Sequence, residues 1–154
     1  MAKTKDYSLN FSDIIDNVGM NSAYVGDRFV GDEGAYNRIS TTSGDAELMK
    51  THWMDCRSAV ASVLKPFITS ITWSETDCSI SCEFPDRVPQ ESVDSIGQLL
   101  SSFVVSYMLS KWYVITNKEG AEAEALVAKG YLEGIREAAY SRERPSRTSI
   151  NKNK

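Results

Sequence analysis

The chain has 154 residues, of which 42% are apolar and 25% are charged. That composition is ordinary for a folded globular domain and excludes a low-complexity or disordered chain. Three cysteines, an odd number, argue against a disulfide framework. The net charge of −4 is unevenly divided: residues 142–154 hold five basic groups and one acidic group, so the other 12 basic and 20 acidic groups leave the rest at −8. An acidic body with a basic tail indicates that the tail binds something acidic.

The sequence predicts neither a membrane span nor a secretory leader. The N-terminal residues, MAKTKDYSLNF, lack the apolar core of a signal peptide, so we expect synthesis in the cytoplasm. The richest apolar segment, Leu99–Ile115, is interrupted by four serines and by Lys111, which favours a buried helix over a membrane span. We therefore expect no membrane partner.

The N-terminal third of the chain has weak periodicity. Residues 1–9 are polar and are predicted to be extended. Ser12 is predicted to cap a short helix from about Asp13 to Met20. Glycines and acidic residues break the pattern from Asn21 to Ser43, which predicts a long loop, with one helical turn near Ser22–Phe29 as an option. A loop of that length is usually functional or ordered by a partner.

The second predicted helix begins at Thr42 or Ser43, residues that can cap a helix. Pro66 is expected to end it near Leu64, because the residue before a proline is pushed out of the α region. Apolar residues recur at intervals of four and three, which indicates one buried face: Met49, Trp53, Cys56, Val60, Val63 and Phe67.

A β-hairpin is predicted after this helix, from about Thr69 to Trp73 and from Cys78 to Phe84, because apolar and polar residues alternate there. The intervening Ser-Glu-Thr-Asp is typical of a turn. Two strands alone are marginal in water. We therefore expect the hairpin to pack on the helices or to join strands of a neighbouring subunit.

The longest helix is predicted from Pro89 to Asn117, roughly 28 residues and about 40 Å. Apolar residues cover more than half of its circumference from Leu99 onward, so several neighbours must bury it. A tight turn leads to the last helix, about Lys118 to Tyr140, which should pack against it in antiparallel fashion. The inner residues of that last helix are mostly small: Ala121, Ala125, Ala128, Leu132, Ile135 and Ala139.

These elements predict a mainly α fold: a four-helix bundle-like domain around one long central helix, with a β-hairpin at about 69–84 inserted between the second and third helices. The single domain is expected to span residues 1–141. Residues 142–154 are expected to form a basic extended tail.

A metal site is one interpretation of Cys78 and Cys82, with His52 as a third ligand. The two cysteines lie four apart on one strand, about 13 Å from each other, which is too far for one ion or a disulfide. We predict that they fill the apolar face of the hairpin. His52 lies off the apolar row of its helix and is predicted to be a solvated surface residue.

The glycines at 26, 31 and 34 do not match a phosphate-binding loop, since no strand precedes them and no Gly-Lys-Ser/Thr follows. The acidic Asp27, Asp32 and Glu33 lack the dense alternation of a calcium loop. We predict a solvated loop there, and no metal, cofactor or catalytic site anywhere in the chain. The protein is not expected to be an enzyme.

An interface role is predicted for one aromatic residue and for the tail. Trp73, on a two-stranded hairpin, is expected either to pack on the long helix or to lie at a subunit interface. The tail has three interpretations: it docks on an acidic protein surface, it binds nucleic acid through phosphates, or it only adds solubility. In the first, guanidinium groups pair with carboxylates while a proline and an isoleucine enter a groove, which assigns Arg142, Arg144, Pro145, Arg147 and Ile150 to the interface.

Two stretches carry a resemblance to a known family: SSFVVSYMLSKWYVITNKEGAEAEA, at the end of the long helix, and YLEGIREAAYSRERPSR, at the close of the last one. A long apolar helix ending in Lys-Trp-aromatic, a tight turn, an Ala-rich helix and a Tyr-x-Arg-x-Arg-Pro close resemble structural proteins of phages and prophages of Bacteroides-type bacteria. The plan over about Asp45 to Arg147 is similar to that of head–tail connector (adaptor) proteins of tailed phages.

The resemblance implies a virion protein that forms a ring, usually of twelve copies, beneath the portal. Its partners would be further copies of itself, the portal and adjacent neck or tail proteins. Genomic DNA would pass through the lumen without sequence-specific binding, and an acidic wall would prevent sticking. The expected location is the virion neck, after a stage in the host cytoplasm. A small helical enzyme and a cytoplasmic regulator that binds nucleic acid through its tail remain as alternatives.

Overall fold

Four long helices and a small sheet make up the described part of the chain. The computed structural model describes residues 2–28, 34–39 and 41–143. In chain order the elements are β1 (Lys3–Asn10), α1 (Phe11–Asp27), α2 (Ala35–Ile39), α3 (Ala46–Leu64), β2 (Ile68–Trp73), β3 (Asp77–Phe84), α4 (Gln90–Thr116) and α5 (Lys118–Ala139). The predicted fold class is confirmed: the chain is mainly α, with a β-hairpin between α3 and α4.

The N-terminal segment completes the sheet within the same chain. β1 pairs antiparallel with β3 from Lys3 opposite Phe84 to Asn10 opposite Asp77, and β2 pairs with the other side of β3. The strand order is therefore β1-β3-β2. The segment that the sequence predicts only to be extended supplies the third strand, which a hairpin needs for stability in water.

α1 is longer than the predicted Asp13–Met20 helix. Asn10 caps it rather than Ser12, because the Asn10 side chain accepts a hydrogen bond from the backbone N–H of Ser12 at 2.9 Å. Near its C-terminal end, Gly26 lies so close to α2 that an added Cβ would come within 2.9 Å of Tyr36 Cα. The glycine that breaks the sequence pattern is thus a contact residue between two helices.

The long loop predicted from 21 to 43 is wrong where the structure describes it, since α1 continues to Asp27 and α2 follows. The Ser22 hydroxyl donates to Gly19 O at 3.0 Å and accepts from the Thr41 N–H at 3.1 Å, which ties α1 to the segment before α3. Residues 29–33 and 40, including the Gly31, Asp32 and Glu33 weighed above, lie outside the described residues.

α3 begins and ends close to the predicted positions. The Thr42 N–H donates to the Asp45 carboxylate at 2.7 Å, and a 3-10 turn at Ser43–Asp45 leads into the helix. The helix ends at Leu64, as predicted, but the expected reason is wrong: Lys65, the residue before Pro66, keeps α-helical dihedral angles, with φ −45° and ψ −45°. Its buried residues are Met49, Trp53, Cys56, Val60 and Leu64, so Leu64 takes the inward position predicted for Val63.

α4 is the centre of the core and contacts α1, α3, α5 and β1. Its 27 residues include buried side chains on several faces, and the Trp112 indole N–H donates to Ile39 O in α2. By length and composition α4 could also cross a membrane, despite its serines, with a mean hydropathy of 1.2 over its most apolar window. Since 56% of that window is buried inside the chain, α4 has the burial of a core helix.

α5 packs against α4 as the predicted antiparallel partner. Ala128, Ile135 and Ala139 are buried, whereas Ala121 is half-buried and Ala125 is exposed. The predicted inner row is therefore correct in the C-terminal half of the helix. The N-terminal half leaves its small residues uncovered.

The chain after α5 crosses to the start of α4. The Glu143 N–H donates to Arg87 O at 2.8 Å, and the Glu143 carboxylate lies 3.6 Å from Lys3 Nζ. The predicted tail therefore begins with residues that contact the body, and the two ends of the described chain lie side by side.

Candidate functional site

The predicted interface residues fall in two separate places. Trp73 pairs with Cys78 at the turn end of the sheet, whereas Glu143 contacts Lys3, which pairs with Phe84 at the opposite end. Cys78 and Phe84, which mark the two ends, are six positions apart on β3, about 20 Å along the strand. Arg142 is exposed beside the second of them; Arg144, Pro145, Arg147 and Ile150 lie outside the described residues.

Trp73 packs on α3, an element that neither alternative from the sequence named. Its indole is 9% exposed, its ring centroid lies 5.0 Å from that of Trp53, and its N–H donates to Trp53 O at 3.2 Å. Burial within its own chain accounts for this side chain. The interface role stays a prediction.

The cysteines and the histidine weighed for metal binding do not come together. Cys78 and Cys82 are buried free thiols, and burial raises the pKa of each to about 11. Within the described residues, no three His, Cys, Asp or Glu side chains are grouped so that they could hold a metal ion.

His52 is half-buried, which corrects the prediction of a solvated residue. Its Nε2 is buried without a hydrogen-bond partner among the described residues. Burial lowers the pKa of His52; Asp55 raises it and Lys111 lowers it further. Cys56 Sγ donates to His52 O at 3.4 Å, and burial raises the pKa of that thiol. The neighbouring cysteine is therefore kept protonated, unlike a nucleophilic cysteine.

A groove of 430 Å³ with mostly polar lining residues lies between α1, α4 and α5. We call it the polar groove. Positions three and four apart on α4 form its floor, and α1 and α5 form its walls. The lining residues are Asn17 and Asn21 of α1, Gln98, Ser101, Ser102, Val105, Ser106 and Leu109 of α4, and Glu124, Val127 and Tyr131 of α5.

The serines explain why a groove forms here. At this face of α4 the short serine side chains leave space between the flanking helices. In the sequence, Ser101, Ser102 and Ser106 interrupt an apolar run. Their spacing is the signal that could have identified one polar face.

Glu124 is the one formally charged side chain among the described residues that line the groove. Burial raises the pKa of its carboxyl group, and a hydrogen bond from the Ser106 hydroxyl acts in the opposite direction. A carboxylate held away from water gains more than an exposed one from a bound cation, because the cation offsets its desolvation cost.

The other polar groups of the groove are rich in acceptors. The Asn17 amide donates to Asp13 O at 3.1 Å and the Asn21 amide donates to Asn17 O at 2.9 Å, both within α1. Each bond uses one of the two N–H donors of the amide, so each side-chain oxygen can accept a hydrogen bond and one N–H can still donate. The arrangement suits a ligand that carries positive charge and several N–H donors.

No protein-family model matches this chain, and neither does any curated protein or solved structure. Its function therefore has to be inferred from its own surfaces.

Proposed function

We propose that this chain is a structural virion subunit, a head–tail connector or neck adaptor. In this proposal it assembles into a dodecameric ring between the portal and the tail, and genomic DNA passes through the ring. The observation that carries the proposal is an exposed apolar patch where α4 meets α5, on a chain whose body is strongly acidic.

The apolar patch consists of Val114 of α4 and Ala121, Ala125 and Leu126 of α5. Val114 is 56% exposed and Leu126 is 66% exposed. Val114, Ala121 and Ala125 line an open cleft of 380 Å³. Exposed apolar side chains on two packed helices offer a surface that a partner can cover.

A second copy of the chain is the occupant that fits this patch. Lys111, Lys118 and Glu122 also line the cleft. A copy whose body carries −8 can place carboxylates against the two lysines while apolar side chains meet. This complementarity supports a homo-oligomer, and a head-to-tail contact of unlike surfaces generates a ring when the rotation closes.

The outer face of the sheet supports passage of DNA without binding. Carboxylates, hydroxyls and one amide alternate with the inward residues along all three strands, and the register brings them to one face. That face contains Thr4, Asp6, Ser8, Asn10, Ser70, Thr72, Asp77, Ser79, Ser81 and Glu83. A surface with carboxylates and no cation repels phosphate, as the wall of a DNA channel must.

The portal and the adjacent neck ring are the proposed hetero-partners, and the basic tail is the element proposed to reach them. Arg142 and the arginines that follow can form bidentate pairs with carboxylates. The tail leaves the body beside Arg87 and Lys3, away from the apolar patch at the far end of α4. Contacts within a ring and contacts between rings would thus use different ends of the subunit.

Mass photometry of the purified chain, alone and with a candidate portal protein, tests the proposal. We expect a ring-sized species for the native sequence and smaller species for V114D/L126D. M20D is the matched control, since Met20 is 68% exposed on α1, outside the apolar patch. A chain that stays monomeric under both conditions would overturn the proposal, and salt-dependent DNA binding by such a monomer would favour the regulator.

A further inference from the structure

We propose that the polar groove binds the basic tail of the same chain, residues 144–154, in the free subunit. The proposal joins a polar groove with one carboxylate, which the connector role leaves unexplained, to a cationic segment that begins beside the start of α4. It does not depend on the connector role, because it concerns the subunit before any partner binds.

The groove has the chemistry of a receptor for guanidinium or ammonium groups. Its formal charge comes from Glu124, and its described lining contains no lysine, arginine or histidine. The asparagine side chains of α1 present oxygen acceptors on the opposite wall. An arginine can therefore meet acceptors on both sides, which suits its planar array of donors.

The tail supplies the complementary groups. Its sequence, RPSRTSINKNK, contains two arginines and two lysines and no acidic side chain. Its one large apolar residue, Ile150, has counterparts in Val105, Leu109 and Val127 of the groove. Ion pairs alone are worth too little to order a tail, so this apolar contact and the hydrogen bonds are needed in addition.

The tail begins close enough to enter the groove. Glu143 is held at Arg87, just before α4, and the groove starts at Gln98 and ends at Leu109. Along α4 these intervals are about 12 Å from the helix start to Gln98 and about 16 Å from there to Leu109. Eleven extended residues reach about 36 Å, enough to cover both.

Tethering favours the same chain over a neighbour. A segment that follows directly on Glu143 reaches the groove at an effective concentration of the order of millimolar, well above that of a second copy in dilute solution. A weak site would therefore be filled by its own tail first.

Disulfide trapping in the full-length chain tests the contact. S102C on the groove floor is paired with S149C in the tail, and the control pair is S62C with S149C. Ser62 is exposed and lines a different cleft beside Tyr140, also near the start of the tail. We expect trapping at S102C about tenfold faster than at S62C, as for a site favoured by about 1.4 kcal/mol. The product should have the mass of one chain.

Trapping no faster than the control would overturn the proposal, and so would a predominant cross-link between two chains. Added peptide of sequence RPSRTSINKNK should slow the trapping by competition.

Charge variants then separate a specific site from chance collision. E124Q keeps the size of the side chain and should slow trapping by about tenfold, since a hydrogen bond to a charged group is stronger than one to a neutral group. E133Q, on the same helix but in the cleft that contains Ser62, should leave the rate unchanged. R144E/R147E alters the tail without touching the body and should also slow trapping. If the rate of disulfide trapping in both E124Q and R144E/R147E equals the native rate, charge does not contribute to binding in the groove and the proposal is wrong.

Mass photometry on the same variants keeps the two proposals apart. Loss of trapping with rings intact would overturn the groove contact alone. Absence of rings with trapping intact would overturn the connector role alone.

Discussion

Trp53 and Trp73 join α3 to the β-hairpin through their rings and through both indole nitrogens. Their ring centroids lie 5.0 Å apart, Trp73 Nε1 donates to Trp53 O at 3.2 Å, and Trp53 Nε1 donates to Ser74 O at 2.7 Å. Each indole therefore satisfies its one donor while its ring is buried, as aromatic residues with a polar group require.

W73A should lower the free energy of unfolding of the subunit by about 3–5 kcal/mol, the usual cost of truncating a buried aromatic residue. Urea denaturation measures this loss, and mass photometry on the same sample measures assembly. W73F should lie between the native chain and W73A in stability, because it keeps part of the ring contact but not the donor. Native stability combined with lost assembly would instead support the interface role predicted from the sequence.

Truncating a buried aromatic side chain of α4 should lower the free energy of unfolding by as much as W73A does. Phe103 is 1% exposed and Trp112 is 6% exposed, and Trp112 also donates to Ile39 O. F103A and W112A should each cost about 3–5 kcal/mol in urea denaturation. S95A is the control on the same helix, with a change within about 0.5 kcal/mol expected at an exposed site outside the apolar patch. Losses below about 1 kcal/mol at both buried positions would contradict the placement of α4 in the core.

Two glycine-to-alanine substitutions should change the stability of the chain in opposite directions. At Gly26 the new Cβ would lie 2.9 Å from Tyr36 Cα, so G26A must push α1 and α2 apart and should lower the melting temperature. At Gly130, in α5, nothing lies within 4 Å of an added Cβ. G130A should therefore stabilise the chain by about 0.5–1 kcal/mol through helix propensity. Thermal melts of the two variants compare them directly, and a rise for G26A would show that α1 and α2 do not touch there.

Buried thiols should make stability fall at alkaline pH. Burial raises the pKa of Cys78 and of Cys82 to about 11, whereas an unfolded thiol ionises at about 8.5. Above that lower value the unfolded state loses protons that the folded state keeps, so the free energy of unfolding decreases as the pH rises towards 11. C78A/C82A should lose stability at every pH but show a shallower slope between about pH 8 and 10. Equal slopes for the two proteins would contradict the burial of these thiols.

Glu124 should cost stability at neutral pH. Burial raises the pKa of its carboxyl group, so its contribution is most favourable in acid and is lost as the pH rises through the folded-state pKa. In the R144E/R147E chain, where no tail arginine offsets the burial, E124Q should raise the melting temperature at pH 7 and lose this advantage towards about pH 4, where the native carboxyl is largely protonated. E137Q, at an exposed position of the same helix, is the control and should show no such pH dependence. A change in melting temperature of the same size at both pH values would contradict the raised pKa of Glu124.

The elements with strong local signals could be predicted closely from the sequence. α3, the hairpin, α4 and α5 lie within a few residues of their predicted bounds, because hydrophobic periodicity, Pro66 and Pro89 act on neighbouring residues. The N-terminal third could not be predicted in this way. In β1 only Tyr7 and Leu9 are apolar residues that alternate with polar ones, and the segment is a strand because β3 provides a hydrogen-bonding edge. α1 extends to Asp27 because Ser22 and Gly26 contact Thr41 and Tyr36, which are distant in sequence.

The sequence by itself determined the mainly α fold class, the inserted hairpin and the division of charge between body and tail, since these depend on composition and local periodicity. The tertiary structure alone decided which surfaces those residues form. The serines of α4 line a groove only because α1 and α5 pack on either side of them, and Glu124 acquires its shifted pKa only from that packing. Trp73 and Trp53 are twenty residues apart in the chain and meet only when the hairpin folds onto α3. Such contacts depend on how whole elements pack, and local sequence patterns do not predict that packing.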